Sequence, residues 1–243
     1  MSVNFNGLQL QMGSLSTENP KILASMGDAL NPGNHGDNNS ESKEMYTFIN
    51  YTKDKKTLLD VGSQFGSFSY SFIGNDSNKQ AYAFDGGDLP FLFTTQVKAI
   101  NNLHNLHMFK FLVGDKNEKV RCHQEELQSL ALDGTDTNFM FTIDMICHLY
   151  NIEPDVIKMD IEGCEFKALR GANNTILKYQ PTLFMEIHPK FMDMYQTTIT
   201  DIISFIDSIN YKVLDFDLNE IENYASVLEQ EQADSNRSIW VPR

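Results

Sequence analysis

The chain has 243 residues, 41% of them hydrophobic and 21% charged, which is enough to bury a sizeable core and suits one globular domain with elaborations. Its 33 acidic residues outnumber 19 basic ones for a formal charge of -14, and no basic cluster is richer than Lys53–Lys56, which argues against nucleic acid and other polyanionic partners. No apolar run nears the ~20 residues of a membrane span, no signal-peptide pattern opens the chain, and Cys122, Cys147 and Cys164 follow no metal-ligand spacing; a cytoplasmic protein with reduced thiols is expected.

Residues 1–40 are rich in Asn, Gly and Ser, with the strongest loop signal at 31–42, and read as an N-terminal arm whose scattered apolar residues could cover an acceptor pocket. The folded domain is expected over 41–243. It opens with a helix from Glu41 to Tyr51 and a strand from Thr57 to Val61. Buried strands ending in polar residues then recur at 80–85, 109–115, 155–160 and 181–188. A glycine turn after a buried strand normally feeds a helix, so the ambiguous Phe65–Phe72 segment is read as helical. Phe93, Val97 and Ile100 form one apolar stripe after Pro90, and Ile199, Ile202, Ile203 and Ile206 form another. Strand-like runs at 211–216 and 237–242 close the pattern. Alternating strands and helices imply a doubly wound, Rossmann-like α/β sheet, with the terminal pair adding an antiparallel strand.

In such a sheet, ligands bind at the carboxyl ends of the strands. Gly62 and Gly66, directly after the first of these strands, allow close approach of a ligand and of a helix N-terminus. Asp85 ends the next strand about 20 residues on, where a carboxylate can accept hydrogen bonds from two ribose hydroxyls. A nicotinamide dehydrogenase shares that logic, but the G-x-G-x-x-G fingerprint is missing. Asp60, immediately before Val61-Gly62, suits a ligand with a cationic amino-acid portion and no pyrophosphate, which is S-adenosylmethionine.

The blocks "DVGSQFGSFSY", "AYAFDG", "IKMDIEGCEFKALRGA" and "PTLFMEIH" resemble the FkbM-type methyltransferases, a branch of the class I S-adenosylmethionine-dependent enzymes. The likeness covers roughly 44–243. It implies a seven-stranded sheet of order 3-2-1-4-5-7-6 with the last strand antiparallel, and O-methylation of a hydroxyl on a small molecule or saccharide. Ser63-Gln64 and Asp85-Gly86 are mild departures from the family's commoner Ala-Asn and Glu-Pro. The resemblance implies that Asp60, Gly62, Ser63 and Gly66 hold the methionine portion, Asp85 the ribose, and Gly114 and Asp115 the adenine, with Asp160 beside the methyl-transfer centre.

An aliphatic hydroxyl, with a pKa of ~16, needs a base or a metal to remove its proton. His188 is the candidate general base. Asp160 and Glu186 are expected to orient the acceptor or a divalent metal such as Mg, and Glu162 is a further group able to reach the substrate. Thr142 and Asp144 read as an N-cap and a first-turn acid, Gly171 as a helix or turn glycine, and Glu162 and Glu165 as acids at a helix start that complement its dipole. Two alternatives stay open. A ribose 2'-O-methyltransferase could use Lys158, Asp160 and Glu186, and a methyltransferase-fold binding module would lack catalysis.

Overall fold

The computed structural model describes residues 2–15, 22, 40–125, 129–230 and 235–243. The chain separates into two compact units, Met1–Lys110 and Phe111–Arg243.

The first unit begins with a hairpin, β1 (Ser2–Phe5) and β2 (Leu8–Gln11), joined through Asn6 and Gly7, both left-handed at φ 49° and 86°. Asn-Gly between alternating apolar residues is the strongest short hairpin signal, because both central residues must take positive φ. It lies inside the segment expected to be a loop-like arm. Phe5 and Leu10 are fully buried, and Phe5 meets the Tyr70 ring edge-on at 5.1 Å. The core of the unit is α1 (Ser40–Tyr51), β3 (Thr57–Val61), α2 (Ser67–Ile73), β4 (Gln80–Asp85), α3 (Asp88–Asn101) and β5 (Leu106–Lys110). Strands β3, β4 and β5 pair in parallel; β3 is buried from Leu58 to Val61, whereas β5, at the sheet edge, is buried only at Leu106.

The hairpin is tied to the far ends of the two helices. Asn6 Nδ2 donates to the Ser71 carbonyl at 3.0 Å, Asn75 Nδ2 donates to the Gly7 carbonyl at 2.7 Å, and Gln11 N donates to Asn101 Oδ1 at 2.7 Å. Both helices start just after the carboxyl ends of β3 and β4 and run back. The hairpin therefore packs away from those carboxyl ends and is not a cover over them. Leu15 and Ile22 are buried, and the rest of 16–39 lies outside the described residues.

Two expectations are corrected here. Ile100 does not share the buried stripe of Phe93 and Val97; it lies in the last helical turn, beside Gly13, and is 45% exposed. The third strand is β5, not 109–115, because β4 sets the register Ala81↔Leu106 through Asp85↔Lys110. Phe109 stacks on Phe84 at the end of that ladder, and the chain leaves it at Phe111.

In the second unit, β6 (Leu112–Val113), β7 (Glu118–Glu125) and β8 (Ser129–Phe141) make a three-stranded sheet that the sequence reading did not anticipate. It is followed by α4 (Ile143–Tyr150), β9 (Val156–Met159), α5 (Glu165–Arg170), α6 (Asn173–Tyr179), β10 (Thr182–Ile187), α7 (Pro189–Met192), a 3-10 turn, α8 (Ile199–Ser208), β11 (Tyr211–Leu214), α9 (Tyr224–Leu228) and β12 (Asn236–Pro242). Thr142 caps α4 by accepting from Met145 N. Asp144 pins the first turn of α6, accepting from the backbone N–H and side chain of both Asn174 and Thr175. The expected supporting roles of both residues are thus observed.

The mixed sheet has seven strands in the order β5-β4-β3-β9-β10-β12-β11, with β12 antiparallel to both β10 and β11. Counted along the sheet's own strands this is 3-2-1-4-5-7-6, as expected. Among the described residues no helix is long and apolar enough to cross a membrane. Cys147 and Cys164 are free and buried, and burial pushes their thiols up to about 11 and about 12, which leaves neither a ready nucleophile. The side chain of Cys122 lies outside the described set.

Candidate active site

The turn after β3 is a left-handed coil: Gly62, Gln64 and Gly66 have φ of 78°, 47° and 84°. Gly62 N and Ser63 N both donate to the Phe84 carbonyl, which clasps the turn to the end of β4. Asp85 completes the clasp, Oδ2 accepting from Gln64 N at 2.9 Å and Oδ1 from Gly87 N at 2.8 Å. Burial outweighs these hydrogen bonds and raises the Asp85 carboxyl from 3.8 to about 6. Each oxygen has one lone pair engaged, so the group is oriented and can still accept two hydroxyls.

Asp60 sits elsewhere. It is 2% exposed, and its Oδ2 accepts from Ser69 N at 3.1 Å and from Ser69 Oγ at 2.6 Å. That ties the first turns of α2 to the end of β3, a positioning role behind the glycine turn. Gly66 also has a local reason: a Cβ there would lie 2.9 Å from Tyr70 Cζ, so the ring of Tyr70 takes the space. Ser63, 7% exposed, places its hydroxyl 3.8 Å from Met108 Sδ.

In the second unit, Gly114 and Asp115 follow the short strand β6, not the third strand of the main sheet. A Cβ on Gly114 would lie 2.4 Å from Met140 Sδ, and one on Gly171 would lie 2.1 Å from the Gly114 carbonyl oxygen, so this is close backbone packing. Asp115 pairs with Arg170 at 2.9 Å. Nothing in this local environment singles out an adenine contact.

The carboxyl ends of β9 and β10 carry a dense charged cluster. Glu165, 1% exposed, opens α5, and its Oε1 accepts from Gly163 N and Ile161 N and meets His188 Nδ1 at 2.9 Å. The other ring nitrogen, Nε2, faces Glu162 Oε2 at 3.5 Å, Asp160 Oδ1 at 3.8 Å and Glu186 Oε1 at 3.8 Å. Buried Lys158 lies 3.9 Å from the other oxygens of Asp160 and Glu186. Glu186 is further held by Arg237 Nε at 2.8 Å and by Ser235 Oγ at 2.6 Å. Two of the three acids that face Nε2 are reachable: the Asp160 and Glu162 side chains are 35% and 37% exposed, against 6% for Glu186.

These neighbours decide the protonation. Burial alone would lower His188, but the hydrogen bond and charge of Glu165, with Asp160 and Glu162, raise it to about 9. A neutral His188 acting as general base does not match this environment, since the imidazolium is favoured at neutral pH. Burial raises the Glu162 carboxyl. For Glu186, burial acts upward, but Lys158, Arg237 and Ser235 outweigh it and hold the carboxyl well below its ordinary range.

The structure thus brings Asp160, Glu162, Glu186 and His188 together as expected. It adds Glu165, at the start of a helix, Arg237, the first residue of the strand-like run 237–242, and Ser235, which lies before that run and carries no reading from the sequence. The spacing Asp160-x-Glu162-x-x-Glu165 was visible, but the contact of Glu165 with His188 spans 23 positions and follows from the fold.

The model of the FkbM methyltransferase domain family matches residues 60–213, more than half of the chain. The chain is similar to the FkbM methyltransferase of Methylobacillus flagellatus, with 17% identity and a TM-score of 0.51, over 94% of this chain and 60% of that one. It therefore spans about three fifths of that protein's length. An O-methyltransferase from Bacillus cereus, solved with S-adenosylhomocysteine, aligns over 92% of this chain and 90% of its own at 10% identity and a TM-score of 0.48. No curated protein matches. With the family's block running from Asp60 through the glycine turn, Asp160 and His188 into β11, and with the strand order of class I methyltransferases, the chain belongs to the FkbM methyltransferase domain family.

Proposed function

We propose that this domain transfers the methyl group of S-adenosylmethionine to a hydroxyl oxygen of a small molecule or saccharide. The observation that carries the reading is the cluster at the ends of β9 and β10. Two partly exposed carboxylates, Asp160 and Glu162, stand against a buried His188, Lys158 and Glu186. Such a cluster can hold a hydroxyl group and take its proton.

Bound S-adenosylmethionine supplies a methyl group already activated on a sulfonium, so alignment of the acceptor oxygen contributes much of the catalysis. Asp85 fits the ribose of that cofactor, because its two oxygens are fixed by Gln64 N and Gly87 N and each keeps acceptor capacity. Gly62, Ser63 and Gly66 form the turn offered to the methionine portion, with Asp60 holding that turn through Ser69. Gly114 and Asp115 are assigned to the adenine on the family resemblance alone. Asp160 is the acceptor of the hydroxyl proton in this scheme. His188, as an imidazolium, steadies Asp160 and Glu162, and Glu186 is kept ionised by Lys158 and Arg237. A divalent ion at the same cluster is an alternative means of activating the hydroxyl.

The test is a tritium-release screen with labelled cofactor over sugars, phenols and nucleosides, repeated with Asp160→Asn and His188→Ala. Turnover is expected to fall by about 10²–10⁴ in Asp160→Asn, the usual range for general acid–base catalysis, and by a smaller factor in His188→Ala, which removes only the cation that steadies Asp160 and Glu162, while calorimetric affinity for S-adenosylhomocysteine is retained in both. Full activity of both variants, or methyl transfer confined to nitrogen acceptors, would overturn the scheme. Lys158 between Asp160 and Glu186 also favours a second reading, ribose 2'-O-methylation. Methyl transfer to capped or uncapped RNA in the same assay would select it. Failure to bind S-adenosylhomocysteine at all would select a binding module.

A further inference from the structure

We infer that Asp160, Glu186 and His188 form a divalent-cation site, and that its ion is of the imidazole-accepting transition-metal class, with manganese(II) as the probe. The inference rests on the methyltransferase reading only for the ion's use, which is to bind and acidify the acceptor hydroxyl. The site itself rests on geometry.

One ligand atom from each of the three residues lies within 4.8 Å of the others. A cluster of acids would not by itself define a site, but the imidazole is set up in a particular way. Its Nδ1 is anchored at 2.9 Å on Glu165 Oε1, and that carboxylate is itself buried and fixed by Gly163 N and Ile161 N. A histidine that ligates a metal through one nitrogen characteristically gives its other N–H to a carboxylate, which fixes tautomer and ring orientation.

The freed nitrogen then points into oxygens it does not hydrogen-bond. Nε2 stands 3.5 Å from Glu162 Oε2 and 3.8 Å from both Asp160 Oδ1 and Glu186 Oε1. Without an ion that nitrogen carries a proton shared among these oxygens, and a bound cation would take the proton's place. Two ligands each about 2.1 Å from a shared ion stand about 3.0–3.5 Å apart, so the two Nε2–oxygen distances of 3.8 Å need a few tenths of an ångström of contraction, and the two carboxylates, within 4.8 Å of each other, have to close by up to about 1–2 Å.

The oxygens are also divided between two positive partners. Lys158 Nζ lies 3.9 Å from Asp160 Oδ2 and Glu186 Oε2, whereas the imidazole faces Oδ1 and Oε1 of the same two residues. A cation beside His188 therefore does not require Lys158 to leave. Arg237 Nη2 and Ser235 Oγ both reach Glu186 Oε1, at 2.8 Å and 2.6 Å, so one of these two donors has to turn away for that oxygen to ligate the ion while the other orients it. Glu162 is within reach as a fourth donor. An imidazole among carboxylates suits manganese, iron or zinc, whereas magnesium prefers oxygen ligands alone and keeps several waters.

Manganese(II) titrated into the full chain and followed by electron paramagnetic resonance should lose its free-ion signal up to one equivalent per chain. Pulsed measurement should show nitrogen coupling from one imidazole, and a tenfold excess of magnesium should not displace the ion. His188→Gln should remove the nitrogen coupling and weaken binding at least tenfold, and Asp160→Asn should weaken it similarly. Glu165→Gln should weaken binding by about 10–100-fold while keeping the coupling, as expected of a positioning residue. An unchanged free-ion signal at millimolar manganese, absence of nitrogen coupling in the wild type, or wild-type affinity in Asp160→Asn would each overturn the site. The wild-type coupling decides the matter even if His188→Gln fails to fold. Calorimetry with S-adenosylhomocysteine on metal-free protein separates the two readings: cofactor binding without manganese binding removes the metal site and leaves the methyltransferase standing, and the reverse outcome removes the methyltransferase.

Discussion

Replacing Asp85 by Asn keeps the size of the side chain and removes its charge and one acceptor oxygen. In the folded protein the carboxyl is raised from 3.8 to about 6, chiefly by burial, so the folded state binds the proton more tightly than the unfolded chain. Stability is therefore greatest below the unfolded value and falls as pH rises through the window from 3.8 to about 6. The full displacement corresponds to about 3 kcal/mol, and solvent at this partly exposed carboxylate reduces that to about 1–2 kcal/mol. Asn cannot titrate, so this fall should vanish from the variant's unfolding free energy. At neutral pH the relief of the buried charge is opposed by one lost hydrogen bond, because the Asn amide must face either Gln64 N or Gly87 N as donor to donor, at a cost of about 1–3 kcal/mol. The two nearly cancel. Affinity for S-adenosylhomocysteine should not cancel: losing one charge-assisted bond to a ribose hydroxyl, about 1.5–3 kcal/mol, weakens binding by roughly 10–150-fold. Chemical denaturation at several pH values and calorimetry at pH 7.5 measure the two effects. Unchanged cofactor affinity in Asp85→Asn would refute the ribose assignment, and an unchanged pH slope would refute the burial argument.

Gly163→Ala should lose about 2–4 kcal/mol in urea denaturation, because φ is +97° and the new Cβ would lie 2.5 Å from Phe191 Cβ and 3.0 Å from its backbone carbon; a loss below 1 kcal/mol would contradict the close approach. Asp144→Ala removes the acceptor for four donors of Asn174 and Thr175 and should cost about 1–3 kcal/mol with cofactor affinity intact. A calorimetric change there would show that Asp144 does more than pin α6. Gly66→Ala must take φ +84° against the Tyr70 ring at 2.9 Å, so it should destabilise by about 1–3 kcal/mol and also weaken S-adenosylhomocysteine. A melting temperature equal to wild type would mean that the ring yields freely.

The sequence by itself determined the parts that depend on short-range pattern. Apolar runs bounded by polar residues located β3, β4, β9 and β10, because buried parallel strands show little polar alternation. The glycine turn and Asp85 were legible for the same reason: a left-handed turn demands glycine at particular positions, and a strand's last residue is set by where its apolar run stops. The Asn6-Gly7 hairpin signal is equally local but sits among loop-like residues that mask it. Tertiary structure decided the rest. The third strand ends at Lys110 because β4 sets its register, and Leu112-Val113 pairs with β8 instead. Gly66 is required by the ring of Tyr70 as well as by its own φ. Above all, the protonation of His188 belongs to Glu165, 23 positions away, and the ionisation of Glu186 to Lys158, one strand back in the chain, and to Arg237, 51 positions on. A side chain's charge state is set by burial and by the nearest opposite charges in space, and neither is carried by a residue's neighbours along the chain.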